Sequence, residues 1–137
     1  NYTFGYRSKN NDFTNFDIII LDTLGELKKA YAFSDIAFIG GSFNKTGGHN
    51  PLEATVYNVP TITGPSIKNF RDIYSILTKA GASVLVNNQS ELEQTLDKFL
   101  SDSEFYNKTK ENCKNIFQDQ QGALEFVIDK IKSILNI

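Results

Sequence analysis

Two short, unbroken apolar runs, Ile18 to Leu21 and Ile36 to Ile39, constrain the fold of this chain more than any other feature. Each has the length of a strand, and neither alternates with polar residues as a half-exposed strand would. The stretch from Asp17 to Leu21 therefore carries the signature of a strand buried on both faces. Shorter strand-like stretches stand at Tyr2 to Arg7, Thr61 to Thr63 and Ser83 to Val86, and polar Ser8 to Asp12 reads as a loop. Helical spacing fills the intervals. Thr23 to Phe33 places Leu24, Leu27, Ala30 and Tyr31 on one face, and Asn69 to Ala80 does the same with Ile73, Ile76, Leu77 and Ala80. Glu91 to Leu100 carries Leu92, Leu96, Phe99 and Leu100. The last third reads as helix, Glu104 to Phe117 and then Gly122 to Leu135, with Ala123, Phe126, Val127, Ile131, Ile134 and Leu135 on one stripe. Strand, helix, strand, helix with short connections predicts an α/β fold, a parallel sheet with helices on both faces.

At 137 residues the chain has the size of one domain and is long enough to bury a core. Its 40% hydrophobic content contains no apolar run of membrane-spanning length. The start, Asn1 to Arg7, lacks the basic and apolar regions of a signal peptide, and Met is absent throughout, so the chain is expected to be an excised piece of a longer protein. A net charge of -2 argues against a nucleic-acid partner. Cys113 is the single cysteine, which excludes an internal disulfide and points to a half-buried helical residue in a cytoplasmic setting.

In open parallel sheets, ligands bind beyond the carboxyl ends of the strands. Two loops occupy that position, Asp22-Thr23-Leu24-Gly25-Glu26 and Gly40 to Asn50. The second lies in FIGGSFNKTGGHNPLE, Phe38 to Glu53, which gathers four glycines, the only histidine and a helix start. Thr23-x-x-Glu26, Asn50-x-x-Glu53 and Ser90-x-x-Glu93 share the grammar of a capping box, and this explains Glu93 fully. Glu53 has a second reading. A glycine loop and a helix start suit a phosphate, and a carboxylate in the first turn suits two vicinal ribose hydroxyls. The loop matches neither the dinucleotide-binding nor the P-loop glycine pattern. His49 by itself reads as a polar residue before a helix, and Ser42 and Thr46 serve equally as turn hydroxyls or phosphate donors. A lone histidine supplies no multi-histidine metal site.

The segment Asp22 to Ile73 carries, in order, Asp-Thr-x-Gly-Glu-Leu, Ser-Asp-x-Ala-Phe-x-Gly-Gly-Ser, Gly-Gly-His-Asn-Pro-Leu-Glu, Gly-Pro and Asn-Phe-Arg-Asp. With these motifs the chain resembles the bacterial 3-deoxy-D-manno-octulosonic acid (Kdo) transferases, and a looser match runs through Gly81-Ala82 to Gln121-Gly122-Ala123. The resemblance implies the GT-B architecture of two Rossmann-like domains facing a cleft. This chain corresponds to most of the C-terminal, donor-binding half, N-terminally truncated, with its final segment of about 104–137 packing back on it.

Carried over, Gly40, Gly41, Ser42, Gly47, Gly48, His49 and Asn50 should line the phosphate and Kdo side of the donor CMP-Kdo. Glu53 should hold the ribose, Asp22, Thr23, Gly25 and Glu26 should lie near the cytosine, and Asn69 and Phe70 belong to a later cleft loop. No catalytic residue, metal or cofactor is expected in this chain. The base, the lipid A precursor surface and the membrane contact would belong to the absent half, at the cytoplasmic side of the bacterial inner membrane. The truncated sheet is expected to rearrange, pair between chains or leave a groove, and the fragment alone should be inactive. Ala54-Thr55 stands where the family usually has Pro-Ala. Two other readings remain, a GT-B transferase using a UDP-sugar and a non-catalytic nucleotide-binding or interaction module.

Overall fold

The computed structural model describes residues 1–118. The strands are β1 (Phe4–Tyr6), β2 (Ile18–Ile20), β3 (Ala37–Ile39), β4 (Thr61–Thr63) and β5 (Ser83–Leu85). The helices are α1 (Leu27–Ala32), α2 (Leu52–Thr55), α3 (Arg71–Lys79) and α4 (Gln89–Ser101), and α5 runs over 103–118. Short 3-10 turns, Arg7–Lys9 and Lys68–Phe70, follow β1 and precede α3.

All pairings are parallel, but they form two sheets. β1 pairs with β2, and β3-β4-β5 form a second sheet in which Ala37, Thr61 and Ser83 stand in register. The Rossmann-like α/β class thus stands, with the sheet divided. Helices cover the three-stranded sheet. Ala37 and Ile39 pack with Ala54 and Val59 of the α2 region and with Tyr31 of α1. On another side Ile62 and Val86 meet Phe99, Leu92 and Leu96 of α4 and Phe105 of α5. Leu77, Ala82 and Cys113 close a third cluster, where Asn112 Nδ2 donates to Gly81 O at 3.1 Å.

Several local expectations need correction. β2 is not buried: Ile18, Ile19 and Ile20 are 48%, 49% and 38% exposed, because among the described residues it pairs on one edge alone. α1 starts at Leu27 rather than Thr23, since Gly25 at φ 82° leaves helical geometry, and Leu24 stands fully exposed ahead of the helix. Tyr74, not Ile76, is the buried partner of Leu77 on α3, and Leu100 lies off the packed stripe of α4. The box on α4 is set two residues earlier than expected. Asn88 Oδ1 accepts from Glu91 N at 3.0 Å while Glu91 Oε2 accepts from Asn87 N at 2.8 Å, and Glu93 instead accepts from Gln89 Nε2. Cys113 is wholly rather than half buried. The expected helix at Gly122 to Leu135 lies outside the described residues.

Candidate functional site

A cleft of about 380 Å³ opens at the carboxyl end of β3. Leu27 and Tyr31 of α1 form one wall, and Ile39 and Gly40 form the floor. His49, Asn50 and Glu53 from the start of α2 face them, with Phe70 at the rim. The position is the one that parallel α/β topology favours.

The glycine loop is held shut from within. Gly41 O accepts the N–H groups of Gly47 and Gly48 at 3.2 and 3.0 Å, and Gly40 O accepts that of His49 at 3.3 Å. Gly47 and Gly48 have φ of 95° and 73°, conformations that side chains rarely adopt. A Cβ on Gly47 would also strike Lys68 Cγ, and one on Gly48 would come within 3.2 Å of Ser66 O. Three backbone donors that the sequence reading offered to an anion are therefore engaged in building the loop. Gly40 differs: its φ is not positive, and a Cβ there meets nothing within 4 Å. It is an open face of the cleft.

The turn before α3 and α3 itself clamp the same loop. Asn69 Nδ2 donates to Thr46 O at 2.7 Å, Asn69 N donates to Gly47 O at 3.3 Å, and the phenol of buried Tyr74 donates to His49 O at 3.2 Å. Asn69 thus holds the loop, whereas Phe70 lines the cleft. Ser42 is fully buried. Its hydroxyl donates to Ile39 O at 2.6 Å and accepts from Gly64 N at 2.8 Å, so it ties β3 to the end of β4 and acts as a turn hydroxyl.

Glu53 is exposed on the cleft. Asn50 Oδ1 accepts from Leu52 N at 3.0 Å, but among the described residues Glu53 returns no hydrogen bond to Asn50 N, so no reciprocal box forms. The carboxylate is left directed to the cleft. Burial raises the pKa of the Tyr31 phenol, and the Glu53 charge adds to the shift, so the hydroxyl stays protonated beside the carboxylate.

The 22–26 loop is organised separately. Asp22 accepts from Ser8 N at 2.9 Å and Ser8 Oγ at 2.6 Å, and Glu26 accepts from the Thr23 hydroxyl and pairs with Arg7 at 3.3 Å. These contacts hold both carboxyls below their usual range, by the Ser8 hydroxyl bond for Asp22 and the Thr23 hydroxyl bond for Glu26. Thr23 and Glu26 do not cap α1, which has no side-chain cap. The structure therefore brings Gly40, His49, Asn50, Glu53 and Phe70 into one cleft, builds its loop with Gly41, Gly47, Gly48 and Asn69, and leaves Asp22, Thr23, Gly25 and Glu26 outside its lining. Sequence reasoning missed Leu27 and Tyr31 as cleft residues because their helical spacing looked like core. It missed Arg7 and Ser8 because nothing in their neighbourhood marks them.

Such a cleft, at the carboxyl ends of parallel strands, lies where Rossmann-like domains bind their ligands. Residues 15–116 match the family model of glycosyl transferases group 1, and the chain belongs to that family. It is 35% identical over 122 residues to the 3-deoxy-D-manno-octulosonic acid transferase of Haemophilus influenzae, covering 88% of this chain and 29% of that protein. The same enzyme of Aquifex aeolicus is 38% identical over 98 residues, 72% of this chain and 28% of the other. Among solved structures, the C-terminal CMP-Kdo binding domain of WaaA from Acinetobacter baumannii superposes with a TM-score of 0.78 at 28% identity, covering 85% of this chain and 62% of that one. The chain spans less than a third of the length of these curated relatives.

Proposed function

We propose that this chain is the donor-binding part of a Kdo transferase and holds CMP-Kdo in the cleft between α1 and α2. In the longer protein, Kdo would pass to a hydroxyl of a lipid A precursor at the cytoplasmic face of the inner membrane. The acceptor oxygen forms a bond to the anomeric carbon of Kdo. The bond from that carbon to the CMP phosphate breaks, and its electron pair leaves with CMP. A base on the other half takes the hydroxyl proton.

The observation that carries this reading is Glu53, an exposed carboxylate on the cleft wall that no capping bond engages. Its two oxygens suit a vicinal diol, with the protonated Tyr31 phenol beside them. Because the N–H groups of residues 47–49 already bond within the loop, the exposed His49 ring and the Asn50 amide are side-chain donors this wall offers to the phosphate. No cofactor or metal enters the proposal, and transfer requires the other half, so this chain alone is inactive.

Calorimetric titration of the chain with CMP, UMP and UDP tests the reading. CMP should bind most tightly, and Glu53→Gln should weaken it about tenfold or more with little change in melting temperature. Preference for UDP would favour a UDP-sugar donor. Equal binding by Glu53→Gln would leave Glu53 without a role in the nucleotide site.

A further inference from the structure

We propose that Arg7 and Ser8 are positioning residues, which set the α1 wall of the cleft by holding the two carboxylates of the 22–26 loop. The inference rests on the reading of the cleft as a nucleotide site and extends it to residues remote from that cleft.

The 22–26 loop has no helix or strand of its own, and Gly25 at φ 82° interrupts it. Its geometry is instead imposed from the 3-10 turn that follows β1. Ser8 gives Asp22 two hydrogen bonds, one from its N–H and one from its hydroxyl. Arg7 meets Glu26 as a fork, Nε 3.3 Å from Oε2 and Nη2 3.3 Å from Oε1. The guanidinium is itself placed, by Nη1 donating to Asn10 O at 3.3 Å and by the Phe13 ring 5.7 Å away. Glu26 is also where α1 begins, since its carbonyl accepts from Ala30 N at 3.1 Å. One residue thus carries the Arg7 fork on its side chain and the first helical bond on its backbone. Leu27 follows it directly and Tyr31 lies on the same helix, and both line the cleft.

An ion pair whose side chains remain 35% and 26% exposed is screened by solvent and adds modestly to global stability. Its effect is the orientation of α1, which separates positioning from bulk stabilisation. Lysine keeps the charge but has no fork.

The test compares the chain with Arg7→Gln, Arg7→Lys and Ser8→Ala by amide hydrogen exchange and by CMP calorimetry. Arg7→Gln and Ser8→Ala should exchange about tenfold faster across residues 22–31, with β3, β4 and β5 unaltered. CMP affinity should fall about fivefold with an almost constant melting temperature, and Arg7→Lys should not restore it. Unchanged exchange over 22–31 overturns the proposal, whatever CMP does. Faster exchange with unaltered CMP affinity also overturns it, because the loop would then not set the wall. If the parent chain binds no CMP, the nucleotide reading of the cleft fails. Exchange at Leu27 and Tyr31 then decides the positioning claim alone, faster rates supporting it and equal rates overturning it.

Discussion

β2 and β4 are parallel strands of equal length with opposite fates. β2 is Ile-Ile-Ile and is exposed at every position, whereas β4 is Thr-Ile-Thr and is buried at every position. The more apolar strand lies outside because, among the described residues, β2 has a neighbour on one edge only, while β4 lies between β3 and β5 in a sheet covered by helices. Burial here follows from a strand's place in the sheet and not from its own composition. The polar strand bears a cost for its position: among the described residues, Thr61 Oγ1 and its register partner's hydroxyl, Ser83 Oγ, are buried without a hydrogen-bond partner.

The contrast is best broken with a pair of truncations. Ile62→Ala should lower unfolding free energy by about 2–5 kcal/mol. Ile19→Ala, at a half-exposed site, should cost less than about 1 kcal/mol in the same urea titration. Equal losses would mean that β2 is as well packed as β4.

A smaller effect sharpens the comparison at the carboxyl end of the buried sheet. Gly48→Val places a β-branched residue at φ 73° against Ser66 O and should destabilise by about 1–3 kcal/mol. Gly40→Val fills open space, so its melting temperature should hold while CMP binding is largely lost. If Gly40→Val binds CMP normally, the cleft floor is not the ligand surface.

Smaller again, Thr61→Val replaces an unpartnered hydroxyl by a methyl of similar shape and should raise stability by about 1 kcal/mol. A loss would show that this hydroxyl has a partner, such as a buried water. The smallest effect is expected at the exposed sheet. Asp22 and Glu26 have carboxyl pKa values lowered in the fold, so their contribution is present above the unfolded carboxylate range and is lost as pH falls through the lowered values. Exchange across 22–27 should therefore quicken in acid before that of β3, β4 and β5, and simultaneous release would refute the local origin.

The alternation of strand and helix was legible, because apolar runs and helical spacing depend on neighbouring residues. The position of the Gly40–Asn50 loop and of the helix start after it was legible too, since paired glycines and a proline mark a turn and a first helical residue directly. What composition could not express was long-range. The exposure of Ile18 to Ile20 depends on which strands pair, and the use of Ser42 depends on Gly64, more than twenty positions away. The loop N–H groups looked available because only the folded loop turns Gly41 O toward them. Glu93 was assigned the box that Asn88 and Glu91 make, a shift of two residues that periodicity does not resolve.

Cys113 has a consequence of a different kind. Burial pushes its thiol pKa up to about 12, and its Sγ donates to Ala82 O at 3.5 Å on the side where α5 meets the end of α3. A thiol-alkylating reagent needs the thiolate and a path to it, and the closed fold offers neither at neutral pH. The rate of Cys113 alkylation therefore counts the openings of α5 away from Leu77 and Ala82, giving the chain a single internal reporter that needs no added label.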